Sequence, residues 1–255
     1  MQFLCLHGAI GNVDNISIQL GAPSNHPAAG KPLRKELESD QAATFHFINA
    51  PVTVDPPEGF TEYFGPGPHY RWMDDEGAGE ESMINRIRRL PSGQNPEDVM
   101  RSLATSDKAW RNRETVMQYL YDTLEEHPEV EGIVGYSEGS AMAATLILDE
   151  VHRLHKEGRP RRIKCAIFFT GWPPVSPDNE LVLSDESEII LDVPTLHIVG
   201  ANDPYRYGAL ALYNVCDADT ANMFDTGKGH TIPRTGKVIS ELGDAVRELI
   251  SSAEE

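Results

Sequence analysis

The sequence predicts an α/β fold, an open and mostly parallel sheet of about six strands flanked by helices. Three observations point to it. Short apolar runs rich in β-formers alternate with longer stretches of helical periodicity. At 255 residues the chain is long enough to bury the core of one large domain. Its composition, 40% hydrophobic and 24% charged without a low-complexity tract, is that of a globular protein.

The elements follow in order. Gln2–Leu6 is an apolar strand, and it runs into the loop His7-Gly8-Ala9-Ile10-Gly11-Asn12. A helical pattern covers Pro32–Ser39, and Thr44–Ile48 reads as the second strand. From residue 51 to residue 106 the alternation stops, and Pro, Gly, acidic and aromatic residues dominate. A structureless loop of that length is improbable inside a compact domain, so insertions of this kind are usually functional. It leaves the carboxyl end of a strand, where open α/β sheets bind ligands. The 51–106 segment is therefore expected to be a lid or pocket wall within a single domain spanning 1–255. Beyond it, Lys108–His127, Glu138–Glu157 and Tyr207–Cys216 have helical patterns. Gly132–Tyr136, Cys165–Thr170, Thr195–Val199 and Asn222–Asp225 read as strands between and after them. In the last helix, Gly236–Ala253, residues Val238, Ile239, Leu242, Val246, Leu249 and Ile250 make one apolar face.

The net charge of −18 argues against nucleic acid and against an anionic membrane surface. No leader and no membrane span are expected. Cys5, Cys165 and Cys216 are far apart, and an odd number without metal spacing reads as reduced, buried thiols in a cytoplasmic protein. His152 and His155 lack neighbouring ligands, so no metal is expected, and nothing calls for a cofactor.

The chemistry concentrates at Gly135-Tyr136-Ser137-Glu138-Gly139, a G-x-S-x-G that follows a strand and opens a helix. There a serine rides a tight turn with its hydroxyl exposed, and a side chain at either glycine would collide with neighbouring elements. The bare pattern is common; its strand–turn–helix setting is what points to a nucleophile. A serine needs a base, and the base needs an orienting carboxylate. In this architecture they come in the order Ser, acid, His, each just after a later strand. Asp203 follows the Thr195–Val199 strand and His230 follows Asn222–Asp225. Alone, Asp203 would read as a turn residue and His230 as a surface histidine; their joint placement makes them the orienter and the base. The oxyanion donors are expected to be the N–H groups of Glu138, after the nucleophile, and Ala9, in the loop after the first strand. His7 is expected to brace that loop, and His46 and His197 to be structural.

The stretches "LCLHGAIGN", "GYSEGSA", "GANDP" and "GKGHTIPRT" together resemble the fungal family of serine hydrolases, within the α/β-hydrolase superfamily. The likeness runs from Gln2 to about Ile250. It implies the α/β-hydrolase fold and esterase or thioesterase activity. Family members resembling this chain act beside polyketide synthases, releasing an acyl chain from a carrier protein. The segment "NPEDVMRSL" looks most like those members. The implied substrate is an acyl ester or thioester.

The acyl pocket is expected to draw on Tyr63, Phe64, Tyr70 and Trp72 of the insertion and on Trp172, against the alternative that these aromatics only pack. Six basic residues between Arg153 and Lys164 lie at the wrong end of the sheet for docking a partner. Arg86, Arg88 and Arg89, on the insertion, are the candidate dock for an acyl carrier protein. Two rival readings share the same residues: a carboxylesterase acting on small soluble esters or lactones, and a non-catalytic binding protein with this fold.

Overall fold

The structure is a computed structural model that describes residues 1–21, 32–56, 65, 67–74, 95–103, 110–188, 190–234 and 236–254. Six strands form one sheet: β1 (Gln2–Leu6), β2 (Thr44–Ile48), β5 (Val130–Tyr136), β6 (Cys165–Phe169), β7 (Thr195–Val199) and β8 (Ala221–Asp225). Their order is β2-β1-β5-β6-β7-β8, and every neighbouring pair is parallel.

Period-2 alternation sends successive side chains of each strand to opposite faces. In β1, Leu4 and Leu6 join one apolar cluster while Phe3 and Cys5 join the other. β6 does the same, with Ala166 and Phe168 on one side and Cys165, Ile167 and Phe169 on the other. A strand buried on both faces reads as a continuous apolar run, which is how "CAIFF" and "FLCL" read. Helices α4 (Arg113–Glu126), α5 (Glu138–Glu157) and α6 (Arg206–Asn214) cover the first face. Helices α1 (Val13–Leu20), α2 (Leu33–Glu38) and α7 (Lys237–Glu254) cover the second.

The region after β2 carries structure of its own. β3 (Val52–Val54) and β4 (His69–Arg71) pair antiparallel, and α3 (Pro96–Leu103) packs on α6. Residues 57–64, 66, 75–94 and 104–109 of that region lie outside the described part.

The three cysteines are buried free thiols, and burial pushes Cys165 and Cys216 up to about 12. Among the described residues no helix is long and apolar enough to cross a membrane, and no group of His, Cys, Asp and Glu could hold a metal.

Candidate active site

Ser137 joins β5 to α5 with φ 54° and ψ −118°, a conformation L-residues rarely adopt. Surrounding bonds hold it there. Its N–H donates to the Phe169 carbonyl at 2.9 Å, and its own carbonyl accepts from the Ser140 N–H at 2.9 Å. The Ser140 hydroxyl donates to the same Phe169 carbonyl at 3.2 Å. The flanking glycines answer to space. A Cβ on Gly135 would lie 2.3 Å from Ser140 Cα, and one on Gly139 would lie 2.3 Å from the Leu6 carbonyl oxygen. Both obstacles are backbone, so neither position accepts a side chain unless the helix lifts off the sheet.

Asp203 and His230 arrive from the ends of β7 and β8. Asp203 is fully buried, and its Oδ1 accepts the Tyr205 N–H at 2.8 Å. Its Oδ2 lies 2.9 Å from His230 Nδ1, and His230 Nε2 lies 3.1 Å from Ser137 Oγ. A carboxylate only accepts, so Nδ1 carries the proton and Nε2 faces the serine O–H with its lone pair. The Tyr136 hydroxyl donates to the His230 carbonyl at 3.1 Å. The rings of Tyr205 and Tyr136 stand 4.7 and 5.4 Å from the imidazole.

The loop after β1 lies against Ser137: a Cβ on Gly8 would sit 3.2 Å from Ser137 Cβ. Ile10, at φ 57°, turns the chain there. His7 Nδ1–H donates to the Gly8 carbonyl at 2.7 Å, while Nε2 accepts the Ala50 N–H at 3.0 Å. Burial pushes the His7 imidazole down to about 4, against the opposing pull of the Gly8 carbonyl. A neutral ring with both nitrogens engaged is a brace. The backbone N–H groups of Ala9 and Glu138 have no partner among the described residues.

The aromatics divide. Trp72 is fully buried, its indole N–H donating to the His7 carbonyl at 2.8 Å, which favours the alternative that this aromatic packs in the core. Tyr70 exchanges two backbone bonds with Gly11, at 2.8 and 3.2 Å, and its half-buried ring packs on the core. Trp172 lines a narrow crevice with Val99, Leu103, Pro204, Tyr205, Tyr207 and Gly208, and Tyr205 connects that crevice to His230. Tyr63 and Phe64, and the arginines Arg86, Arg88 and Arg89, lie outside the described residues.

Sequence reasoning missed Tyr205, the α3 side of the crevice and the side chain of Glu138. Tyr205, two residues after Asp203, was legible by proximity; the other two depend on long-range packing. In the basic stretch before β6, Arg159, Arg161 and Lys164 pair with Glu157, Asp192 and Glu131, and Arg153 lies over the Tyr121 ring.

A strand–serine–helix elbow in a parallel sheet, with an acid and a histidine delivered by the next strand ends, defines an α/β-hydrolase. Residues 1–242 match the family described as Serine hydrolase (FSH1), and the chain belongs to that family of serine hydrolases. It is 26% identical over 253 residues to hydrolase phiM of Fungal sp. (strain ATCC 74256), covering 98% of this chain and 95% of that protein. Esterase FUS5 of Gibberella moniliformis is 24% identical, covering 96% of this chain and 85% of its own. The crystal structure of esterase PE8 shares the fold at a TM-score of 0.52 and 18% identity, covering 97% of this chain and 92% of that one.

Proposed function

We propose that the protein cleaves an acyl ester or thioester through a Ser137–His230–Asp203 acyl-enzyme mechanism, releasing a polyketide or fatty acyl chain from a carrier protein. The observation that carries the reading is the unbroken hydrogen-bond chain from the strained Ser137 Oγ through His230 to buried Asp203.

His230 Nε2 takes the Ser137 proton as Oγ bonds to the acyl carbon, and the carbonyl electron pair moves onto oxygen. The N–H groups of Ala9 and Glu138 receive that oxyanion; in comparable sites one donor is worth about 3 kcal/mol. As the tetrahedral centre collapses, the bond to the leaving group breaks and His230 returns the proton to it. Water then attacks the acyl-enzyme, giving its proton to His230, and Ser137 leaves with that proton. Asp203 fixes the imidazole tautomer and stabilises its charged form throughout.

In this reading Trp172, Tyr205 and Tyr207 border the acyl site beside the base, and the apolar seam between them and Val99 and Leu103, closed to water in this structure, widens to take the chain. The 51–106 segment is its wall, with Tyr63, Phe64 and Tyr70 toward the substrate, and Arg86, Arg88 and Arg89 receive the carrier. Relatives named as esterases favour a second reading, a carboxylesterase on small soluble esters. A hydrolase-like binder with negligible turnover is the weakest reading, because the Ser–His–Asp set is intact.

The test is a rate comparison of matched oxygen esters and N-acetylcysteamine thioesters over a series of acyl lengths. Ser137→Ala should abolish turnover of all of them. A preference for long-chain thioesters supports carrier release, and fast short-ester turnover without a thioester advantage leaves a general esterase. Absence of turnover together with absence of Ser137 labelling by a fluorophosphonate would overturn the hydrolytic mechanism.

A further inference from the structure

Glu138 is the residue after the nucleophile, and its side chain turns away from solvent into the protein. Oε1 accepts two backbone N–H groups, from Trp72 at 2.5 Å and from Met73 at 3.1 Å. Oε2 faces the Arg71 guanidinium at 3.3 Å. One largely buried carboxylate thus grips three consecutive residues, the last of β4 and the two that follow it.

That segment is in turn fastened to the loop carrying Ala9. The Trp72 indole bonds the His7 carbonyl, Tyr70 and Gly11 exchange backbone bonds, and the Asn12 amide donates to the Pro68 carbonyl at 3.0 Å. Asn112, just before α4, holds the same stretch from outside. It donates to the Trp72 carbonyl at 2.9 Å and accepts the Asp74 N–H at 2.8 Å. The loop after β1 and the first turn of α5 also meet directly: a Cβ on Gly139 would lie 2.6 Å from the His7 carbonyl oxygen.

We infer that the Glu138 carboxylate is a positioning residue, clasping Arg71–Met73 so that the Ala9 and Glu138 N–H groups converge on one point beside Ser137. The inference rests on the acyl-transfer reading above. It gives a physical reason for placing a carboxylate where burial opposes ionisation: desolvation raises the Glu138 carboxyl, while Arg71 and the two N–H groups lower it. The protein accepts a costly buried charge because that one group can satisfy three donors at once.

The experiment uses the full chain and a p-nitrophenyl ester series, with kcat and KM measured separately and a boronic acid as mimic of the tetrahedral state. Glu138→Ala is expected to lower kcat by about 30-fold, less than the roughly hundredfold or more that outright loss of an oxyanion donor brings, because the donors are misdirected and not removed. KM should move by less than about threefold, and boronate affinity should fall in step with kcat. Glu138→Gln keeps the Oε1 acceptor and should recover at least about tenfold of the loss, because the two N–H bonds carry the positioning. If Glu138→Ala fails to fold, Trp72→Phe breaks the next link, the bond to His7, and should show the same kcat-selective loss on a smaller scale. Wild-type kcat and boronate affinity in Glu138→Ala or Trp72→Phe would overturn the inference, as would a loss confined to KM or a Gln variant no better than Ala. Failure of the hydrolytic reading looks different: the wild type itself would show no Ser137-dependent turnover.

Discussion

Ser137 holds an unfavourable backbone conformation at the turn where its hydroxyl meets His230. Residues kept in such regions cost on the order of 1–3 kcal/mol and persist where the surroundings over-determine them. Here the Phe169 carbonyl and the Ser140 N–H fix both ends of the peptide unit. Ser137→Gly should therefore abolish turnover and raise the melting temperature by about 2–4 °C, the shift expected for roughly 1 kcal/mol in a domain of this size. A melting temperature equal to or below the wild type would mean that the elbow stores no strain. The placement of Ser137, Asp203 and His230 side by side was legible in the sequence because each is fixed by local context, a strand end followed by a turn. Trp72 was not. Whether an aromatic in an irregular stretch lines a pocket or packs in the core depends on partners far away in the chain, here the His7 carbonyl and the Glu138 carboxylate.

Element by element, the six strands of the main sheet are readable because continuous apolar runs have few other homes. The shorter pieces escaped. β3 and β4 are three residues each, too short to show a period, and α1 offers only Ile16 and Leu20 as buried positions. Helix α3 hides inside the insertion, although its inner face of Val99, Met100 and Leu103 is regular. Two unlike fasteners hold it on α6 and the loop before β7. Glu97 is buried and its Oε1 accepts from Ser184 at 2.9 Å and from Asn214 at 2.7 Å. Arg101 is exposed and reaches Asp98, Asp185 and Glu186 at 2.6, 2.7 and 2.6 Å. Exposed ion pairs are screened by water and salt, whereas a lost buried acceptor strands its donors at about 1–3 kcal/mol. Glu97→Ala should then lower global stability measurably, while Arg101→Ala should leave the melting temperature nearly unchanged and speed amide exchange in α3. If the crevice beneath α3 takes the acyl chain, Arg101→Ala also shifts the acyl-length profile and spares acetyl esters. Equal melting temperatures for the two variants would reverse this ranking of the fasteners.

At the scale of the whole molecule, folding buries two histidines, one in the loop after β1 and one in β7, that the interior keeps uncharged. Desolvation lowers His7 to about 4 and His197 to about 3, against 6.5 for the free side chain. Among the described residues His197 has only the Thr195 hydroxyl at 3.0 Å as a polar partner, and Phe168 and Tyr213 pack around its ring. The sign follows from proton counting. Below pH 6.5 the unfolded chain protonates both rings and the folded chain protonates neither, so stability falls with pH until the folded values are reached. From pH 6.5 down to pH 5 each histidine should remove roughly 1.5 kcal/mol, since the unfolded ring is half protonated at pH 6.5 and reaches the full slope of about 1.36 kcal/mol per pH step only below it. Glu138 and Glu150 act in the opposite direction, because burial raises both carboxyls and the fold takes up their protons more readily than the open chain. Absolute curves therefore mix the two effects, and a difference between variants separates them. Urea unfolding of the wild type and His197→Leu, followed from pH 7 to pH 5, should diverge below pH 6.5, with the variant losing less stability by about one proton's worth of slope. Parallel curves would mean that His197 takes up its proton without unfolding, through an opening between β7 and α6 that the packed ring does not suggest.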